Sequence, residues 1–170
     1  VPLNDVDEIV QKHLIACGGA DKLRAIHSSR VTGQLVMKME SGTICVPHVI
    51  ESKRTNKSRA EYTFPKGTMI RAFDGNTGWV INPGEQKVEQ MPEAERETLD
   101  RFIFDTSLLD YEKRGNKVSL AGFVEMPSGP AYKLLDISIH GETNYHYIDA
   151  DSFLAVQCDT LNADGSISED

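Results

Sequence analysis

Apolar positions along this chain keep two rhythms, one helical and one extended. Val6, Ile9, Val10, His13, Leu14 and Cys17 recur at i, i+3, i+4 spacing, which puts them on one side of an α-helix. Asn4 or Asp5 can cap that helix, and Asp5, Asp7 and Glu8 place negative charge at its positive end. Gly18-Gly19 ends the stripe, since glycine accepts the left-handed backbone of a helix terminus. Ala20 to Ile26 predicts a short second helix with Leu23 and Ile26 turned inward.

From Ser29 the period is two. Val31, Gly33, Leu35, Met37 and Met39 share one face, and Thr32, Gln34, Lys38 and Glu40 dominate the other. Further strands are predicted at Thr43–Glu51, Lys57–Phe64, Thr68–Phe73 and Thr77–Asn82, with turns at Ser41-Gly42, Asn56, Pro65-Lys66-Gly67 and Asp74-Gly75. Asp-Gly between apolar runs is a hairpin signal, and Pro47 marks an edge strand or a bulge. Glu85 to Thr106 breaks the alternation. There Pro92, Glu93, Glu95 and Glu97 suit a helix start, and Leu99, Phe102 and Ile103 give it a narrow apolar edge, as a lid or plug would have. Strands resume at Lys117–Glu125, Pro130–Ile139, Asn144–Ile148 and Phe153–Leu161. Asp164-Gly165 is one more turn signal with only five residues after it, so the expectation is a single domain, 1–170, that lacks its last C-terminal strands and ends on an open edge. The class is α+β: a curved antiparallel sheet with an N-terminal helix and a mid-chain helix as cover.

Charge and composition narrow the chemistry. A net charge of −8 and a sequence pI of about 5.1 argue against duplex nucleic acid, which is bound through clustered Lys and Arg. No stretch of about 18 apolar residues is present to make a transmembrane segment. Cys17, Cys45 and Cys158 form no CxxC pair. His13, His27, His48, His140 and His146 show no metal-site spacing, although His140 and His146 with Glu142 could converge across a hairpin. With no G-x-S-x-G elbow, Gly-rich phosphate loop or dinucleotide fingerprint, the reading is no enzyme, no metal and no cofactor. Lys53, Arg54, Lys57 and Arg59 are the one basic cluster, a contact for an anionic head group or an acidic partner if not a solvated turn.

His13–Leu23 with Ile26, Lys53–Arg59, Phe73-Asp74-Gly75-Asn76-Thr77-Gly78-Trp79, Leu109-Asp110-Tyr111 and Tyr147-Ile148-Asp149-Ala150 resemble segments of the LolA/LolB-like outer-membrane lipoprotein-sorting family. Thr55 departs from the proline expected in the basic turn. The resemblance implies a half-open β-barrel closed by helices around a cavity for acyl chains, in a periplasmic, non-enzymatic carrier of lipid or lipoprotein. Its apolar lining would come from Leu35, Met37, Tyr62, Phe64, Met69, Trp79, Leu99, Phe102, Leu120 and Leu135. Polar contacts would come from Lys53, Arg54, Lys57 and Arg59. The alternative is a protein-interaction domain with a filled core in an envelope protein or peptidase, pairing as an edge-strand dimer or with an envelope partner.

Overall fold

The first apolar stripe folds as α1 (Val6–Ala16), and its cap is Asp5, whose carboxylate accepts from the amides of Asp7 at 2.9 Å and Glu8 at 3.4 Å. Gly18, at φ +103°, ends it, and a second helix, α2 (Ala20–Ala25), follows. The structure, a computed structural model, describes residues 2–39, 42–54, 56–85, 87–100, 106–162 and 165–169. Phe102 and Ile103 lie outside the described residues, as do Glu40, Ser41, Thr55 and Asp164. The chain divides into two compact units, Ile26–Phe104 and the pair of segments Val1–Ala25 with Asp105–Asp170.

The unit Ile26–Phe104 is built on an antiparallel meander. Its strands are β1 (Ser28–Met39), β2 (Gly42–Lys53), β3 (Lys57–Phe64), β4 (Gly67–Phe73), β5 (Gly78–Ile81) and β6 (Glu89–Gln90), hydrogen-bonded in chain order. A helix, α3 (Glu93–Asp100), follows them. The Asp-Gly hairpin forms as its sequence requires. Asp74 Oδ1 accepts from the amides of Asn76 (2.9 Å) and Thr77 (2.8 Å), and Gly75 takes φ +98°. Those backbone bonds to Thr77 and Asn76 hold the Asp74 carboxyl below its usual range. Pro47 pairs with Gln34 of β1, but the β2–β3 ladder begins only at His48. Proline therefore stands where β2 is locally an edge and needs no second amide bond.

The other unit carries β7 (Lys117–Met126), β8 (Gly129–Ile137), β9 (Thr143–Asp149), β10 (Ala155–Leu161) and β11 (Ile167–Glu169) in the order β11-β10-β9-β8-β7. The hairpin signalled near Gly165 does form. Asn162 N donates to Ser166 O at 2.9 Å and Thr160 pairs with Ser168, so β11 and not β10 is the edge. Ile9 and Val10 of α1 pack with Leu108, Tyr132, Leu134 and Ile148, joined by Leu120 and Phe153. Tyr132 meets Phe123 edge-on at 5.1 Å and stacks on Phe153 at 6.0 Å, while its hydroxyl accepts from Leu3 N at 3.1 Å.

A polar network fastens the turns at 106–116 to this second sheet. Asp136 on β8 is 1% exposed. Its carboxylate accepts from Asn116 Nδ2 at 3.4 Å and lies 3.3 Å from His146 Nε2 on β9. Ser107 Oγ stands 3.1 Å from the same ring nitrogen, and Cys158 Sγ on β10 lies 3.6 Å from the other, Nδ1. Burial disfavours charge on His146, but the bonds to Asp136 and Cys158 outweigh it and push the pKa up to about 9. Burial also disfavours charge on Asp136, and bonds to His146, Ser107 and Asn116 more than reverse this, lowering its pKa. His146 is raised from 6.5, so its contribution is complete below that value and is lost as pH rises through about 9. Asp136 is lowered from 3.8, so its contribution is present above that value and is lost as pH falls. Thermal unfolding followed by circular dichroism is expected to show stability falling between pH 6 and pH 9.5, by roughly 2 kcal/mol. In His146→Gln that alkaline fall should largely vanish; an unchanged slope would remove His146 as its source.

Candidate functional site

In an antiparallel sheet directly paired residues share a face, so the register sorts side chains. Leu35 pairs with Val46, Met37 with Ile44, His48 with Tyr62, Tyr62 with Met69 and Phe64 with Gly67. Leu35, Met37, Tyr62, Phe64 and Met69 therefore lie on one face of the first sheet, as the alternation predicts. Coverage of that face is uneven. Val46 is 1% exposed, whereas Leu35 is 43%, Val31 53% and Met39 53% exposed. An apolar strip along β1 and the hairpin end of β2 is thus left open.

Over β3 and β4 the same face is covered by α3. Leu99 and Glu95 of the helix, with Ser58, Ala60, Tyr62 and Arg71, line a cavity of about 290 Å³. Leu99 and Tyr62, both expected at a binding surface, do meet there. Arg71, between Met69 and Phe73 on the apolar face, pairs with Glu95. Among the described residues its Nε and His48 Nδ1, both buried, have no hydrogen-bond partner. Neither Arg71 nor His48 was singled out as a site residue from the sequence. The signal was present in the alternation, which places both side chains on the apolar side of their strands.

The opposite face is different. A row of paired residues runs Arg30, Glu51, Arg59, Ala72 and Trp79 across β1 to β5. Trp79, at 38% exposed, is thus separated by the sheet itself from Leu35, Met37, Tyr62, Phe64 and Met69. Lys53, Lys57 and Arg59 come together here with Arg30, around a depression of about 530 Å³ that also has Glu51, Asp74 and the serines 28, 29, 52 and 58 in its wall. Arg30 Nε lies 3.7 Å from Glu51, and Arg59 pairs with Glu61. Arg54 is not among the lining residues: its Nε donates to Ile26 O at 2.6 Å and its amide to His27 O at 3.0 Å. The basic cluster is therefore three of the four expected residues plus Arg30.

Leu120 and Leu135 belong to the other unit and to opposite faces of its sheet. Leu120 pairs with Leu134 and packs into the core beneath α1. Leu135 pairs with Ser119 and Tyr145, on the side where Lys133 Nζ sits 4.2 Å from the Tyr145 ring centre. His146 does not converge with His140 and Glu142. It is committed to Asp136, Ser107 and Cys158, because its side chain points into the helix-covered side of β9. Among the described residues no group of three or more His, Cys, Asp or Glu side chains is placed to hold a metal ion, and no helix is long and apolar enough to cross a membrane.

Solved structures share this arrangement of strands and helices. A putative outer membrane lipoprotein-sorting protein domain from Vibrio parahaemolyticus superposes with a TM-score of 0.58 at 10% identity, covering 94% of this chain and 73% of that one. A LolA superfamily protein from Nitrosomonas europaea superposes with a TM-score of 0.57 at 13% identity, covering 97% and 74%. The fold is LolA-like. The same LolA-like fold relates the chain to a DUF1329 family protein from Desulfovibrio piger, with a TM-score of 0.59 at 10% identity over 97% and 77%. The α+β class with open antiparallel sheets is the one found: among the described residues each sheet of the LolA-like fold has two unjoined edges, β1 and β6 in one, β11 and β7 in the other. No family model matches the sequence, and no curated protein matches it.

The uneven coverage has a direct check in urea denaturation. Met37→Asp, at 37% exposed, should cost less than about 1 kcal/mol. Val46→Asp, on the same face but buried, should cost more than about 3 kcal/mol, because it leaves an unpaired charge out of water. Similar losses at both positions would mean that the strip is not open.

Proposed function

We propose that this LolA-like protein is a non-enzymatic, periplasmic binding or carrier protein for the acyl chains of a lipid or lipoprotein. The observation that carries this reading is the open apolar strip of β1 and β2, continuous on one sheet face with Tyr62, Phe64 and Met69 and roofed in part by α3. Apolar burial contributes roughly 25 cal/mol per Å², so an acyl chain laid on that strip gains several kcal/mol without a specific polar contact. Methionines at 37, 39 and 69 suit a guest of variable shape. The basic depression with Lys53, Lys57, Arg59 and Arg30 serves a separate anionic group or an acidic partner, because by register these four cations stand on the face opposite the apolar strip.

Delipidated protein titrated with a fluorescent fatty acid should show saturable uptake. Leu35→Glu with Met37→Glu should weaken that uptake tenfold or more, while the melting temperature stays within a few degrees. Absence of both uptake and lipid in mass spectra of the extracted protein would defeat the carrier reading. A second reading has its own support: β1 is a sheet edge of twelve residues, every one exposed, which is the surface onto which another chain adds a strand. Under that reading light scattering shows a concentration-dependent dimer, and fatty acid uptake is absent.

A further inference from the structure

The network around Asp136 contains more than a fastening needs. Asn116 and His146 already hold the carboxylate of Asp136, and Nε2 of His146 faces Asp136 and Ser107. Among the described residues the remaining ring nitrogen, Nδ1, faces a sulfur, Cys158 Sγ, at 3.6 Å. A neutral thiol is a poor acceptor, so two arrangements keep this contact. Either the thiol donates its proton to Nδ1, or Nδ1 carries the proton and faces a sulfur anion. In both, the thiol proton lies on the line between nucleophile and base. A carboxylate that is 1% exposed fixes the base from behind. This is the geometry of an activated cysteine: nucleophile and base within reach, base oriented by a third group.

We propose that Cys158 is a nucleophilic centre, set by His146 and Asp136, that reacts with small oxidising electrophiles of the hydroperoxide class. Hydroperoxides suit the site because Cys158 is only partly exposed on β10, between β9 and β11, and a bulky electrophile has less access. In the reaction the sulfur electron pair attacks the near peroxide oxygen, the S–O bond forms and the O–O bond breaks. The leaving oxygen departs with the bonding pair and takes the proton from Nδ1, giving water or an alcohol. Sulfur is oxidised by two electrons to a sulfenic acid, and the peroxide is reduced by two. The reaction is stoichiometric and independent of acyl-chain binding, which is placed on the other unit.

The chain carries its own comparator in Cys45, which is exposed and in no disulfide, whereas Cys17 Sγ lies 3.7 Å from His13 Nε2. Folded protein is exposed briefly to hydrogen peroxide with dimedone, and labelling at each cysteine is read by peptide mass spectrometry. Cys158 should label at least tenfold faster than Cys45 although it is the less exposed, and the advantage should vanish in urea. His146→Gln and, separately, Asp136→Asn should bring Cys158 down to the rate of Cys45. Equal or slower labelling of Cys158 in the folded wild-type protein overturns the proposal whatever the variants do. An unchanged advantage in a folded His146→Gln protein overturns the role given to the base.

Discussion

From β1 to β6 the first sheet keeps its pairing without a register shift. That regularity is the constraint on which its surfaces depend. With a side-chain period of two, an unbroken ladder carries each strand's parity across the sheet, and one inserted residue would exchange the two faces downstream of it. Because no such insertion occurs, apolar residues from Val31 to Met69, 38 positions apart, end on one side, and the cations of β1 to β3 end on the other. The oily strip and the basic depression are two products of one regularity.

The unit beneath α1 uses a different economy. Its helix-covered face is filled by Ile9, Val10, Leu108, Leu134 and Ile148, and at its margin it buries a carboxylate. A lone charge there would be costly, and each neighbour answers part of that cost: Asn116 on one oxygen, His146 on the other, Ser107 beside the ring. Since Ser107 and Asn116 stand at either end of the turns at 106–116, the same bonds that satisfy Asp136 give a stretch without regular structure a fixed course across the sheet.

Much of this architecture was legible because it is local. The i, i+3, i+4 stripe led to α1, Asp-Gly located the β4–β5 turn, and alternation gave β3 its observed bounds, Lys57–Phe64. The candidate site was legible only within strands. Alternation placed Leu35 with Met37, and Tyr62 with Phe64, but it could not say which side of one strand matches which side of the next. That is decided by turn length and register, and so Trp79, apolar and next to the Asp74-Gly75 turn, was grouped with residues from which the ladder separates it. Leu120 and Leu135 stand on opposite faces of their own sheet, and a bulge between Leu120 and Gly122 lies in the strand that sorts them. The contacts of Asp136, His146, Ser107 and Cys158 join residues up to 39 positions apart, where no spacing rule reaches.

Trp79 has a consequence of its own. It stands in a cross-strand row that begins at Arg30, passes through Arg59 and runs on to Gln90, so an indole and two guanidinium groups share one face of the sheet. Indole fluorescence therefore senses the cationic side of the sheet more directly than the oily side. A chromophore already in the chain can tell an acidic visitor from a greasy one.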